Sequence, residues 1–210
     1  MTTRNWKIIL LVNLGTIFLT ISPFLPGPPN KLVHIFFSVG QILGLLGLFV
    51  IPVGLIWTIK EFVLWNKTRE HQISVKALLL LTLPITIFLT SIYASQVLLN
   101  FSRDFAINRA DELVKAIEEF QVKNGSYPDS LGQLIPNHIP NIPSPLIMGI
   151  DRYYYLRTQD AYNIRFSQNT LMYFNFEIVT YDPTDNHKAE GELAAIYDTG
   201  KKHWKYYIFD

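Results

Sequence analysis

The hydrophobic and polar positions divide this chain into two parts near residue 97. Three apolar stretches, residues 8–25, 32–59 and 77–97, are each long enough to cross a hydrocarbon core of roughly 30 Å. Beyond them the apolar positions become periodic rather than continuous. The pattern therefore predicts a membrane domain with three transmembrane helices over residues 1–97 and a soluble domain over residues 98–210.

The soluble part begins with the pattern of an amphipathic helix. Apolar residues recur at spacings of three and four between Ala106 and Phe120, as they do on one buried helix face. No breaker separates this stretch from the third apolar segment, so we expect one continuous helix. Gly125 can take the left-handed conformation that ends a helix, and Pro128 prevents its resumption. Tyr127 would then pack beside the helix as the chain folds back.

Short, aromatic-rich stretches after this turn predict strands, at residues 152–156, 161–166, 172–180, 193–197 and 203–209. The expected fold is a membrane α domain joined to an α+β head, in which the long helix packs on an antiparallel sheet. Alternation along the third strand places Phe174 and Phe176 on one face. It places Tyr173 and Tyr181 on the opposite, exposed face, where they could bind a glycan or a peptide.

The second apolar stretch carries Gly40, Gly44 and Gly47, which include one small-xxx-small pair. Such a pair allows another helix to approach closely. We favour packing among the three predicted spans. A helix of a partner protein is the alternative.

The composition excludes several classes of function. The chain has no cysteine, so disulfides, thiolate metal sites and cysteine nucleophiles are impossible. Its five histidines follow no metal-ligand spacing, and neither a Gly-x-Ser-x-Gly elbow nor a phosphate-binding glycine loop is present. We therefore expect a protein that is not an enzyme and carries no cofactor, with calcium as the one candidate metal ion.

The candidate calcium site is the stretch YDPTDNHKAEGE, whose oxygen ligands would be Asp182, Asp185, Asn186 and Glu190. Carboxylate and amide oxygens are the ligands that calcium prefers, although the spacing is not that of an EF-hand. Asp and Asn are also common in loops for turn geometry alone. A solvated turn is the favoured interpretation, and a calcium site is the alternative.

The distribution of charge predicts the orientation in a membrane. Cations cluster before the first span and between the second and third, at Arg4, Lys7, Lys60, Lys67, Arg69 and Lys76. Because such loops stay in the cytoplasm, we expect the N-terminus inside the cytoplasm and the C-terminal domain outside it. Residues 99–210 carry 11 Lys and Arg against 15 Asp and Glu, which argues against nucleic acid as a partner. Membrane lipid and other envelope proteins are the expected partners.

Three motifs in the soluble part resemble those of a known family. They are AIEEFQVKNGSYPDSLGQLIP, the proline segment IPNIPSP, and a Tyr-x-Tyr strand followed by AYNIRF. This order resembles the heads of type IV pilins and, more closely, the pseudopilins of type II secretion, over residues 77–166. The chain departs from the family before its third span, where REHQISVKALLLL lacks the Gly-Phe step and the glutamate of a prepilin processing site. The resemblance implies a protein of a bacterial inner membrane with a pilin-like head that does not join a filament.

Three functions follow as hypotheses. The leading one is a scaffold or partner-recognition protein with a pseudopilin-like head, beside a secretion or pilus apparatus. The second is a small membrane subunit or immunity-type regulator that acts through its transmembrane helices. The third is a sensor whose head binds calcium or a glycan.

Overall fold

A computed structural model describes residues 3–68, 71–170, 175–192 and 194–209. Its α-helices are α1 Thr3–Ile21, α2 Lys31–Gly47, α3 Ile51–Thr68, α4 Val75–Leu89 and α5 Ser95–Asn124. Its strands are β1 Tyr154–Arg157, β2 Tyr162–Asn169, β3 Phe176–Tyr181, β4 Tyr197–Asp198 and β5 Trp204–Phe209. The chain separates into two compact units, Met1–Ser22 with Leu32–Gln96 and Pro23–Lys31 with Val97–Asp210. We call the first the helical unit and the second the head.

The helical unit differs from the prediction in its second segment. Arg4–Phe24 and Val75–Ala94 are each long and apolar enough to cross a membrane. In place of one helix over residues 32–59, α2 and α3 pass that test only as a pair, with a bend of 66° between them. The break has a local cause, because Pro52 is the second residue of α3, and proline is favoured in the first turn of a helix, where its missing N–H removes no intrahelical hydrogen bond. The described residues therefore contain two candidate spans, or three if the bent pair is one.

The three predicted packing glycines lie on α2. A Cβ built at Gly44 would be 2.7 Å from Ile87 Cγ2, and one at Gly47 would be 2.6 Å from Pro84 Cβ. Both distances are shorter than real Cβ contacts, so α2 and α4 approach each other where glycine removes the side chain. Gly40 has more room, since its nearest neighbouring atom is 3.9 Å away.

Two further contacts hold the helical unit together. Gly54, which the sequence did not single out, brings α3 to 2.9 Å from the backbone of Leu80, measured from a built Cβ. Asn13 of α1 donates to Thr82 Oγ1 at 3.2 Å and accepts from Thr86 Oγ1 at 2.7 Å. Hydrogen bonds of this kind between helices are worth roughly 0.6 kcal/mol each in a membrane.

The long helix and its end match the prediction closely. The π-helical segment Thr90–Ala94 joins α4 to α5, so the backbone stays helical from α4 to the end of α5. Gly125 takes a φ of +76°, and its N–H donates to Gln121 O at 2.8 Å, which ends the helix. The Tyr127 ring lies 4.9 Å from that of Tyr162, and the buried Pro128 accepts a hydrogen bond from Tyr155. The turn thus fixes the start of the sheet against the helix.

All strand pairs in the head are antiparallel, in the order β1-β2-β3-β5-β4. The buried face of α5 contributes Ala106, Ile107, Ala110, Leu113, Ala116 and Ile117 to the core. The inner face of the sheet contributes Tyr162, Ile164, Phe166, Val179, Tyr181 and Trp204. The described residues therefore form an α+β fold with a long helix on a five-stranded antiparallel sheet.

Phe176 and Tyr181 lie on opposite faces of β3, as predicted, but the prediction of which face is exposed was wrong. Val179 and Tyr181 lie in the core, whereas Phe176 is 37% exposed and stacks on Phe209 across the outer face. The reason is that Glu177 lies on the inner side of the strand, where Arg103 of α5 donates a hydrogen bond to it. Tyr181 is therefore not available to bind a glycan, and the predicted positions 173 and 174 lie outside the described residues.

A polar network is buried between α5 and the sheet. Arg103 donates from Nε and Nη2 to the two carboxylate oxygens of Glu177, at 2.5 and 2.6 Å. Gln168 donates to the same carboxylate at 3.1 Å and accepts from Ser102 Oγ at 2.5 Å. The guanidinium also lies 3.8 Å from the centre of the Tyr206 ring. Burial raises the pKa of Glu177, and the hydrogen bonds and charge of Arg103 oppose that rise.

Candidate functional site

The candidate site lies on the outer face of the sheet, beneath the β3–β4 loop (residues 182–192). Glu190 of this loop accepts a hydrogen bond from Arg165 Nη1 of β2 at 3.0 Å. Asp185 is hydrogen-bonded to His203, next to β5, at 2.9 Å. The loop is thus tied to both sides of β3, and its His187 side chain is only 7% exposed.

The four predicted calcium ligands lie on this loop, but the three carboxylates among them form hydrogen bonds with different residues. Asp182 accepts from the backbone N–H and the hydroxyl of Thr184, at 2.8 and 2.7 Å. Burial alone would raise the pKa of Asp182, but these hydrogen bonds hold it below its usual range. Asp185 and Glu190 face His203 and Arg165 instead.

No group of three or more His, Asp or Glu side chains close enough to hold a metal ion occurs in the part of the chain that the structure describes. Asn186, the fourth predicted ligand, lines the cavity described next. The calcium site stays a prediction. The positions of its carboxylates are explained by turn geometry and by their ion pairs.

A cavity of about 340 Å³ lies between the loop and the outer face of the sheet. All but one of its ten lining residues carry a polar side chain, and they come from β2, β3, the loop and the turn between β1 and β2. The lining residues that matter chemically are Asn163, Arg165, Thr180, Asp182, His187 and Lys188. Pairing of β2 with β3 places Arg165 directly opposite Thr180. The site is therefore built by sheet register as well as by the loop.

Several polar atoms in this region have no hydrogen-bond partner. Among the residues that line the cavity these are Arg165 Nε, Thr180 Oγ1 and both ring nitrogens of His187, and the hydroxyl of Tyr207 on the same face of the sheet is a further one. The carboxylate of Asp185 comes to 3.7 Å from His187 Nε2, which is too far for a hydrogen bond. Burial lowers the pKa of His187, against the opposing charges of Asp182 and Asp185, so the ring is neutral near pH 7.

The aromatic residues that could have lined a glycan groove are mostly core residues. Tyr153 and Trp204 are 5% and 2% exposed and belong to the core between α5 and the sheet, whereas Tyr207, 3% exposed, lies opposite Ile178 on the outer face. Tyr153 donates its hydroxyl hydrogen bond to Ala106 O of α5 at 2.6 Å. Tyr154 is exposed, with the Arg152 guanidinium 4.9 Å from its ring centre. Packing, rather than ligand binding, therefore accounts for the aromatic density of the inner face.

A second feature of the head was not predicted from the sequence. The loop Pro23–Lys31 belongs to the head and pairs with the segment that precedes the sheet, through an antiparallel bridge between Pro26 and Ile147. Four backbone hydrogen bonds of 2.8 to 3.0 Å join the two segments, from Gly27 N to Leu146 O, Met148 N to Leu25 O, Asn30 N to Met148 O and Gly149 N to Pro23 O. We call this arrangement the docked loop.

Glycine makes this docking possible. A Cβ built at Gly149 would lie 2.5 Å from Pro23 O, a distance that no real Cβ contact has. Ile147 and Phe24, one from each segment, are 0% and 1% exposed. The Pro-Gly-Pro-Pro run at residues 26–29 indicated a turn, but no sequence signal indicated what the turn would contact.

Sequence reasoning found the loop over the cavity but missed the cavity's inner wall. Arg165 and Thr180 are far apart in sequence and meet only through strand pairing. Comparison of the chain with protein-family models, with curated proteins and with solved structures finds no match.

Proposed function

We propose that this chain is a non-enzymatic integral membrane protein of a bacterial inner membrane. Its head, resembling that of a pseudopilin, would lie outside the cytoplasm and act as a scaffold or partner-recognition module beside a secretion or pilus apparatus. The docked loop is the observation that carries this proposal. The loop Pro23–Lys31 connects α1 to α2, and we call it the first loop. It belongs to the same folded unit as the head.

The docked loop supports three spans rather than two. Pro23–Lys31 and the segment at Ile147 belong to one folded unit, so they lie on the same side of any membrane. Between them the chain contains the bent pair α2–α3 and the span Val75–Ala94. If the latter crosses once, the bent pair must cross as well, because only an even number of crossings returns the chain to the same side.

Charge then gives the side. Arg4 and Lys7 precede the first apolar stretch of the sequence, and Lys60, Lys67, Arg69 and Lys76 lie between the second and third stretches or at their ends. Loops rich in Lys and Arg remain in the cytoplasm. The first loop carries only Lys31, so it and the head are expected on the extracytoplasmic side.

The pilin-like part of the proposal draws on two features of the head. One is the long helix packed on an antiparallel sheet, and the other is the Asn-Gly-x-Tyr-Pro turn that joins them. A subunit that enters a filament leaves the membrane with one helix. Here the docked loop would hold the head to additional apolar segments, which favours a stationary scaffold.

The alternative of a regulator acting through its glycine-bearing helix receives less support. Gly44 and Gly47 already face Ile87 and Pro84 of the same chain. A partner helix would have to displace α4 from these positions. The head therefore remains the favoured recognition surface.

Cysteine labelling tests the proposed topology, because the chain has no natural cysteine. Pro29→Cys, Lys67→Cys and Lys201→Cys each place one thiol at an exposed position. In spheroplasts a membrane-impermeant maleimide should label the first and third variants, and the second only after permeabilisation. Labelling of Pro29→Cys and Lys201→Cys from opposite sides would overturn the three-span arrangement.

The recognition role needs a separate test. A photo-crosslinking residue placed at the exposed Tyr154 should yield a discrete crosslinked product in native membranes, and one placed at the lipid-facing Leu11 should not. A product at Leu11 alone would favour the regulator that acts through its helices.

A further inference from the structure

The cavity under the β3–β4 loop has the features of a binding site for a small molecule. It holds about 340 Å³, near the lower end of the size range of ligand pockets. Four elements of the head contribute to its walls, so its shape depends on the folded sheet and not on the loop alone. The role proposed above for the whole chain does not use this cavity.

The unpartnered atoms of the walls are the strongest indication. The His187 side chain is 93% buried, yet neither ring nitrogen has a hydrogen-bond partner. Thr180 is 8% exposed with its hydroxyl unpaired, and Arg165 Nε is buried and unpaired. Leaving such a group buried without a partner lowers the stability of the fold. Three of them at one cavity favour a ligand that satisfies them together.

The chemistry of these groups selects the ligand. The Arg165 Nε–H is a donor only, the Thr180 hydroxyl can donate, and a neutral His187 offers one N–H. The oxygens of an anion accept from all three. A cation would be poorly served, because Asp182 is engaged by Thr184 and Asp185 by His203. Two of the three charged lining side chains, Arg165 and Lys188, are basic; Arg165 is also paired with Glu190, which leaves Lys188 as the cation of the lining available to an anion.

We propose that this cavity binds a small organic anion, whose carboxylate or phosphate oxygens accept hydrogen bonds from Arg165, Thr180 and His187. The ligand enters beneath the β3–β4 loop, where the exposed Lys188 adds a second positive charge. Binding brings negative charge to a buried imidazole and therefore favours its protonated form. The anion accordingly binds more tightly as the pH falls.

The charged and titratable groups near His187 set this pH dependence. Those that act on the imidazole are Asp182 and Asp185 of the loop and Lys205 of β5, and the cavity adds Arg165 of β2 and Lys188 of the loop. The two aspartates favour the protonated ring, and Lys205 opposes it. An anion in the cavity adds to the effect of the aspartates, so proton uptake accompanies binding.

Calorimetry on the full-length protein in detergent micelles tests the proposal. Sodium succinate, sodium phosphate and calcium chloride are titrated separately at matched ionic strength. Saturable heat from succinate alone assigns a carboxylate ligand, and heat from phosphate alone assigns a phosphate ligand. Heat from calcium alone, or from none of the three, overturns the proposal.

Variants locate the binding in this cavity. Thr180→Val keeps the shape of the side chain but removes the hydroxyl, and we expect it to weaken anion binding about ten-fold. Ser167→Ala is the matched control, since Ser167 is an exposed residue of β2 outside the cavity lining and should bind unchanged. If Thr180→Val does not fold, the exposed Lys188→Gln replaces it and should weaken binding through charge alone. Unchanged affinity in the cavity variant, or equal loss in the control, overturns the assignment.

The last experiment measures how the affinity for the anion depends on pH. Affinity for the anion that binds should rise between about pH 7.5 and about pH 5.5, and this rise should vanish in His187→Gln. A pH response that persists in His187→Gln would exclude the imidazole from the site.

Discussion

Loss of the Arg103 guanidinium should destabilise the head more than any exposed ion pair does. In Arg103→Met the stem of the side chain is largely retained, but Glu177 loses two donors at 2.5 and 2.6 Å. The side chains of the pair are 7% and 1% exposed, so water does not replace the lost donors. Removing one partner of a buried pair costs roughly 3–5 kcal/mol.

Protonation of Glu177 limits the part of this destabilisation that comes from its buried negative charge. If the stranded carboxylate takes up a proton, the free energy required at pH 7 is about 3.7 kcal/mol, from an ordinary glutamate pKa near 4.3. At pH 5 the same step requires only about 1 kcal/mol. Because burial raises the folded-state pKa of Glu177, the variant should regain stability relative to the unchanged protein as the pH falls.

Trp204 allows the measurement. It is 2% exposed in the core of the head, whereas the other three tryptophans, Trp6, Trp57 and Trp65, belong to the helical unit. Their replacement by Phe leaves Trp204 fluorescence as a reporter of head unfolding in micelles. At pH 7 we expect the midpoint of the Arg103→Met variant to fall by on the order of 15 °C.

Two further variants separate the charge from the packing. The double change Arg103→Met with Glu177→Met should recover much of the loss, because a buried pair can be replaced by apolar residues at little cost. Arg157→Met removes the ion pair with Asp129, whose carboxylate is 73% exposed, and should cost at most about 1 kcal/mol. A cost below about 1 kcal/mol for Arg103→Met, or the same cost at pH 5 and pH 7, would refute the conclusion that the Arg103–Glu177 pair is shielded from water.

Three other predictions follow from single contacts. Gly149→Ala, with its Cβ 2.5 Å from Pro23 O, should release the docked loop and expose residues 23–30 to protease, whereas Gly132→Ala, with 3.7 Å to its nearest atom, should not. The pKa of His187 is lowered by burial, so the unfolded chain takes up the proton first and the head should lose stability as the pH falls below about 6.5. His187→Gln should flatten this slope in the Trp204 assay. Asn13→Leu removes two hydrogen bonds between α1 and α4 and should destabilise the helical unit by about 1 kcal/mol in micelles.

Each of these has a clear contrary result. Equal protease sensitivity of the two alanine variants would mean that the loop is held by something other than close backbone packing. An unchanged slope in His187→Gln would assign the acid sensitivity to other groups. Greater stability of Asn13→Leu would mean that the two threonines are satisfied without it.

Local sequence was sufficient for several features of this protein. Continuous apolar runs predicted the helical unit, because spacing and length report directly on burial in an apolar medium. Gly125 and Pro128 predicted the end of the long helix, since the left-handed conformation and the missing N–H act within one turn of backbone. Aromatic-rich stretches located β1, β2, β3 and β5 for the same local reason, whereas the strand predicted at residues 193–197 was wrong at residues 194–196, because β4 is Tyr197–Asp198.

Other features depended on contacts between segments distant in sequence. Glu177 lies on the inner face of β3 because it pairs there with Arg103 of α5. The sequence of the strand shows the charge of Glu177 but does not show that a helix supplies a buried partner for it. The cavity needs β2 and β3 in register beneath the β3–β4 loop. The docked loop needs Gly149 next to Pro23, and these two residues are far apart in the sequence.

Sequence alone thus determined which segments are helical, apolar or extended, because those properties arise from each residue's own chemistry and its near neighbours. Tertiary structure alone decided which side of β3 faces inward, which polar atoms remain unpaired beside the cavity, and that the first loop belongs to the head. These are properties of pairs of segments, and their energies exist only after the chain has brought the segments together.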